Sequence, residues 1–141
     1  MNIVVIDGQG GGVGKALVEK ISAKWKEADI VVVGTNSFAT ANMLKGATNL
    51  NGATGENAIC YNAKRADVIV GPVGIVMANA MYGEITPKMA EAVTSSEAYT
   101  VLIPMNRCKT RIVGVQEKKI AEYIDEAIEA IAGLSWCDTN I

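Results

Sequence analysis

Asn-Ile-Val-Val-Ile-Asp-Gly-Gln-Gly-Gly-Gly-Val-Gly-Lys-Ala-Leu, residues 2–17, is the segment from which the architecture of the chain follows. A short apolar strand, Asn2 to Ile6, runs into a loop with five glycines between Gly8 and Gly14, and then into a helix. Glycines remove the Cβ barrier between main chain and ligand, and a helix start presents free N–H groups and positive dipole. A backbone laid out this way can approach a phosphate closely, so a nucleotide or another phosphorylated ligand is the leading expectation. The same glycines could serve only as a tight turn that packs the first helix onto a sheet. Neither alternative specifies a reaction.

Outward from this unit, strand and helix alternate, which predicts a mainly parallel sheet. The first helix is expected over Gly12 to Lys26, with Leu17, Val18, Ile21 and Trp25 on one stripe at helical spacing. Asp29 to Val33 reads as the second strand, Phe38 to Lys45 as a short helix, and Gly46 to Gly52 as irregular with room for a short strand. A helix starts near Thr54-Gly55-Glu56-Asn57, and Ala66 to Val70 is the next strand, closed by Gly71-Pro72. Val73 to Met81 is apolar nearly all round, which predicts a helix buried in the core or in a subunit contact, and hence a homo-oligomer. Asn79 inside it needs a partner if buried. Thr86-Pro87 is a helix start, a cap followed by proline in the first turn. Tyr99 to Ile103 is a core strand. Thr110 to Val115 alternates and is expected as an antiparallel edge strand, joined by the loop Met105 to Lys109. Glu117 to Ala132 is an amphipathic helix with Ile120, Ile124, Ile128 and Ile131 inward, stopped by Gly133. One α/β domain over 1–132 with a tail at 133–141 is the expected organisation.

The 141 residues include 50% hydrophobic and 20% charged side chains, as suits central strands covered on both faces. Net charge is −2 with scattered basic residues, which argues against nucleic acid as a partner. No apolar run approaches the roughly 18 residues of a membrane span, and Ile3 to Ile6 is too short for a signal-peptide core. A cytoplasmic protein with no membrane partner is the expectation. Cys60, Cys108 and Cys137 are odd in number and lack C-x-x-C spacing, which favours free thiols and makes a poor metal site. The chain has no histidine, so no imidazole base, triad or metal ligand is available.

In this topology the loops after the parallel strands gather at one sheet edge, where open α/β sheets bind ligands. Candidate binding residues there are Asp7, Gly8, Gln9, Gly10, Gly11, Gly12, Val13 and Gly14, then Gly34, Thr35, Asn36 and Ser37, with Glu56, Gly71, Asn106 and Arg107. Asp7 could bind a ligand hydroxyl, an amine or a metal, or accept N–H bonds from the turn. Asp7 with Glu56 or Glu84 is the carboxylate set most able to meet in a cleft, where it could serve acid–base chemistry or hold Mg²⁺. Ser37 or Thr54 could cap helices, or their helix starts could receive an anion. Arg107 could pair with a phosphate, and Cys108 could act as a nucleophile if its pKa were lowered. Met77 and Met81 read as packing.

The glycine turn departs from two common phosphate motifs. G-x-G-x-x-G fails because Val13 or Lys15 stands where its last glycine belongs, and G-x-x-x-x-G-K-[ST] fails at Gln9. Gly11-Gly12-Val13-Gly14-Lys15 is similar to the P-loop of partition-type ATPases. However, Gly10 replaces that family's signature lysine, and Ala16 replaces the Mg²⁺-holding hydroxyl, which argues against ATP hydrolysis. Gly8-x-x-x-Gly12-x-Gly14 resembles the turn of the short-chain dehydrogenases, over about the first twenty residues. That resemblance implies NAD or NADP as cofactor. The family's Tyr-x-x-x-Lys pair is missing after Tyr61, Tyr82, Tyr99 and Tyr123. Gly34-Thr35-Asn36-Ser37 replaces the acid that would receive an adenosine ribose, which favours NADP(H) or another nucleotide over NAD. The same tetrapeptide is similar to the phosphate loop of methylglyoxal-synthase-like domains.

Taken whole, the chain resembles a family of small bacterial proteins of unknown function, found mainly in clostridia-like anaerobes. The strings that carry the likeness are residues 1–12, Gly-Thr-Asn-Ser at 34–37, Gly-Ala-Thr-Gly-Glu-Asn-Ala-Ile at 52–59, residues 66–76, Gly-Glu-Ile-Thr-Pro at 83–87 and Leu-Ile-Pro-Met-Asn-Arg-Cys at 102–108. The resemblance implies a single Rossmann-like three-layer α/β domain and supplies no reaction.

Overall fold

The structure, a computed structural model, describes residues 1–105 and 109–134. Five strands, β1 (Asn2–Asp7), β2 (Asp29–Gly34), β3 (Asn51–Thr54), β4 (Val68–Pro72) and β5 (Tyr99–Ile103), form one sheet in the order β3-β2-β1-β4-β5. Every pairing is parallel, with Ile3 opposite both Ile30 and Val68. Helices α1 (Gly12–Lys24), α2 (Ser37–Leu44), α3 (Glu56–Ala63), α4 (Pro87–Thr94) and α5 (Ile120–Ala132) follow the strands in turn.

Alternation along β1 sends side chains to both faces, and both are covered. Ile3 and Val5 pack with Leu17, Val18 and Ile21 of α1, Met43 of α2, and Ile124 and Ile131 of α5. Val4 and Ile6 pack with Ile59 of α3, Met89 and Val93 of α4, and the buried Ile75 and Ile85. The three-layer α/β expectation holds. Trp25 is partly buried at the end of its stripe, whereas Ile120 is 46% exposed and leaves the inward row expected for α5.

Two expectations are overturned. Val73 to Met81 is not a helix: a 3-10 turn covers Val73–Val76, and turns follow. Asn79, Met81, Tyr82 and Gly83 adopt φ of 66°, 59°, 57° and 89°, left-handed values that no right-handed helix contains. Burying Ile75 and Ile85 in one cluster requires the segment to double back between them. Asn79 is exposed, and its main-chain N–H donates to Ile85 O at 2.7 Å. Thr110 to Val115 is not an antiparallel strand either. It is largely exposed, with Gly114 at φ 90° and a turn from the Val115 N–H to Ile112 O, and among the described residues the sheet is wholly parallel. Its alternation of side chains has no sheet face to match.

No helix among the described residues is long and apolar enough to cross a membrane. Cys60 is a free, half-buried thiol; Cys108, Cys137 and most of the expected tail lie outside the described residues.

Candidate functional site

Strand order reverses at β1. The chain leaves β1 toward α1 on one face and leaves β4 toward residues 73–86 and α4 on the other. The two loops part above the β1–β4 seam, the place where open α/β sheets form a crevice. The glycine turn is one wall of it.

Asp7 braces that turn from below. It is 4% exposed, and its carboxylate accepts the Gly8 N–H at 2.8 Å and the Gly14 N–H at 2.7 Å. One side chain thereby ties both ends of the loop. Burial pushes the Asp7 carboxyl above the usual aspartate range; the Gly14 and Gly8 amides pull it back, and the charge of Glu84 pushes it up further. Of the roles open to Asp7 in sequence, the structure shows it accepting N–H bonds from the turn.

The glycines divide by what surrounds them. A Cβ on Gly8 would stand 2.5 Å from Met81 Sδ and 2.8 Å from Thr35 Oγ1, and one on Gly14 would meet Met43 and Asp7. Gly11, at φ 71°, would meet Ala39 O at 2.7 Å, and its N–H closes the turn onto Gly8 O at 2.9 Å. These three are close-packing positions. Gly10 and Gly12 are exposed, with nothing within 4 Å of a Cβ. The amides of Gly10, Gly12 and Val13 find no hydrogen-bond partner among the described residues, while Lys15 N–H already bonds Gly11 O. The mouth of the turn is thus open on one side and filled from the inside.

Beyond β2, Asn36 caps α2, its Oδ1 accepting the Ala39 N–H at 2.8 Å. Neither side chain expected to cap does so. Ser37 is exposed in the first turn of α2, and Thr54 meets the Thr40 hydroxyl at 2.7 Å while Gly55, at φ 102°, begins α3 without a side-chain cap. Gly34 packs against Thr40, whose hydroxyl accepts the Gly34 N–H. Asn36 Nδ2 and Asn42 Nδ2 donate to Gln9 O and Gly10 O, tying α2 to the glycine turn.

Glu84 is the group that sequence placed only as a possible companion of Asp7. Its Oε1 accepts three bonds: from Thr35 Oγ1 at 2.6 Å, Asn36 Nδ2 at 2.7 Å and Gln9 N–H at 2.9 Å. Burial works against its charge, but the Thr35, Gln9 and Asn36 bonds together outweigh it and hold Glu84 below the usual glutamate range. The string Gly83-Glu84 before the Thr86 cap was the available signal, since a carboxylate between a glycine and a cap lies in a loop. Its reach across to β1 and β2 depends on the doubling back of residues 77–85.

Other candidates lie elsewhere. Glu56 Oε1 accepts the Thr86 hydroxyl at 2.7 Å, joining the starts of α3 and α4 rather than Asp7. Gly71 lies inside β4, where a Cβ would strike Ile6 O of the neighbouring strand, so its lack of a side chain serves sheet pairing. Asn106 and Arg107 lie outside the described residues. A hollow of about 710 Å³ opens beside the turn, shared with it through Gln9 and lined by Met77, Ala80, Met81, Tyr82 and Lys109. Met81 therefore packs on Gly8 and also borders open space. The turn, its unpartnered amides and this hollow can receive an anion attached to an apolar body.

The fold and site together define a single parallel-sheet α/β protein with a glycine-rich crevice at the strand ends. The chain belongs to the family described as domain of unknown function (DUF3842), whose model matches residues 2–135. No curated protein matches its sequence. Among solved structures it is similar to a dodecameric FMN-dependent UbiX-like decarboxylase from Escherichia coli O157:H7, at 16% identity and a TM-score of 0.47, over 94% of this chain and 76% of that one.

Proposed function

We propose that this chain binds a phosphorylated small molecule, a nucleotide being the class that fits best, with its phosphate at the mouth of the glycine turn. One observation carries this: the amides of Gly10, Gly12 and Val13 stand unpartnered at the open start of the 13-residue α1. Unsatisfied N–H groups at a helix start, with the dipole behind them, favour negative charge. The neighbouring hollow, with Met77, Met81 and Tyr82 on its wall and Lys109 at its rim, suits a base or another flat ring beside the phosphate. Thr35 and Asn36 are both engaged by Glu84, so they can serve as a second wall for an NADP phosphate only when that carboxylate gives way. NADP(H) is therefore one probe among several.

A second reading has its own support. Asp7, Glu84 and Met81 fill the inner side of the turn, as a purely structural turn would have it. The chain would then be a homo-oligomeric interaction module. A thermal-shift panel of NADP(H), NAD(H), ATP, GTP, flavin and sugar phosphates separates the two. Specific stabilisation that Gly12→Val removes, in a variant that still folds, supports binding at the turn. A flat panel with a stable dimer supports the module.

A further inference from the structure

The three donors on Glu84 Oε1 come from three places on two strand ends: the main chain of Gln9 after β1, and the side chains of Thr35 and Asn36 after β2. Converging on a single oxygen at 2.6–2.9 Å, they have the donor arrangement of an oxyanion hole. The oxygen that fills it arrives from the opposite face of the sheet, on residues 77–86. No lysine or arginine pairs with Glu84 among the described residues. We infer that this cradle is an oxyanion subsite, that Glu84 occupies it in place of a ligand, and that a ligand's terminal oxyanion displaces the carboxylate.

This rests on the turn receiving a phosphorylated ligand, and adds how the site is regulated. Because the cradle is made of neutral dipoles, one oxyanion can replace another without stranding a cation. Exchange transfers the Gln9, Thr35 and Asn36 bonds from Glu84 Oε1 to the incoming oxygen and leaves their number unchanged. The segment that carries Glu84 is closed on itself by main-chain bonds, Asn79 N–H to Ile85 O and Ile85 N–H to Ala80 O, and can swing as one loop. It is anchored by Ile75 and Ile85, both buried, while Asn79 and Tyr82 between them are exposed. Its Met81, Tyr82 and Gly83 are left-handed, and Met81 Sδ rests against Gly8, so withdrawal of Glu84 uncovers the inner side of the turn. Residues 77–86 thus act as a self-blocking strap, latched by one carboxylate.

Inorganic phosphate is the probe, titrated calorimetrically into the wild type, Glu84→Ala and Glu84→Gln. Emptying the cradle in Glu84→Ala removes the competing occupant and is expected to tighten phosphate binding by about tenfold or more. Glu84→Gln keeps a weaker, neutral acceptor in the cradle and is expected to gain clearly less than Glu84→Ala. Thr35→Val added to Glu84→Ala should cancel the gain. Equal gains in the Ala and Gln variants would mean simple charge repulsion and overturn the inference, as would no gain in Glu84→Ala. A gain cancelled by Thr35→Val but untouched by Gly12→Val upholds the cradle and removes the phosphate from the turn. Nucleotide stabilisation lost in Gly12→Val with Glu84→Ala unchanged does the reverse. Hydrogen exchange needs no variant: in concentrated phosphate, compared with chloride, the amides of Gly83, Glu84 and Ile85 should lose protection several-fold, and unchanged protection overturns the strap.

Discussion

Asp7 and Gly14 meet across the whole glycine turn, the Gly14 N–H donating to Asp7 Oδ2 at 2.7 Å while Oδ1 holds Gly8. Both bonds are buried. Removing the acceptor strands two donors, each costing about 1–3 kcal/mol. Asp7→Ala is expected to lower unfolding free energy by about 2–3 kcal/mol in urea titrations, offset in part by release from burying a carboxylate. Asp7→Asn keeps one acceptor and should lose less. An unchanged urea midpoint in Asp7→Ala would show that the turn holds without its brace.

The two carboxylates of the crevice respond to pH in opposite senses. Glu84 is held below the 4.5 ordinary for glutamate, so its folded state favours the charged form. Its stabilising contribution is full above 4.5 and is lost as pH falls through the lowered pKa. Asp7 is raised above the ordinary 3.8, so its contribution is full below that value and is lost as pH rises through the raised pKa. Melting temperatures across acid pH should therefore show Glu84→Gln converging on the wild type as pH falls. Asp7→Asn should improve relative to the wild type as pH rises. Parallel curves for all three proteins would contradict both assignments.

Gly11 and Gly12 are neighbours with opposite tolerances. Gly11 combines φ 71° with a Cβ position 2.7 Å from Ala39 O, and alanine there is expected to destabilise by about 1–3 kcal/mol. Gly12 has open space around it and opens α1, so alanine there should be neutral or stabilising by up to about 1 kcal/mol. Chemical denaturation of the two single variants is sufficient. Equal losses would mean that the loop is uniformly intolerant and its mouth closed.

Thr86 joins two helix starts, accepting the Met89 N–H at 3.2 Å and donating to Glu56 at 2.7 Å. Thr86→Ala should cost about 1–2 kcal/mol, a typical N-cap loss, and Thr86→Ser should restore most of it. A serine variant as unstable as the alanine variant would point to methyl packing in place of the cap.

The sequence made the layered architecture legible wherever periodicity matched burial. Leu17, Val18 and Ile21 read as a helical stripe and form one core, and Val4 and Ile6 alternate with Ile3 and Val5 between two cores. It misled where apolar content had another cause. Val73 to Met81 is hydrophobic because Ile75, Val76, Ala80 and Met81 pack in the α3–α4 core and Met81 also lies against Gly8, not because a helix is buried all round. Thr110 to Val115 alternates without a partner strand. At the site, the glycine turn was visible, but the division of its amides between inner and outer partners was not. That division depends on Glu84, which lies 75 residues from Gln9 and reaches it through left-handed turns that Asn79 and Gly83 suit but that Met81 and Tyr82 do not announce.

β1 pairs with β2 on one side and with Val68 to Val70 of β4 on the other. While the polypeptide is being synthesised, the middle of the future sheet can acquire only its near companion and must wait for residues far downstream to close the second seam. Contacts so distant along the chain slow folding. During that wait the naked rim of β1, Ile3-Val4-Val5, is an adhesive ribbon. Refolding yield should therefore fall with protein concentration more steeply than the stability of the finished domain would suggest, and recover when the chain is diluted or held by a chaperone.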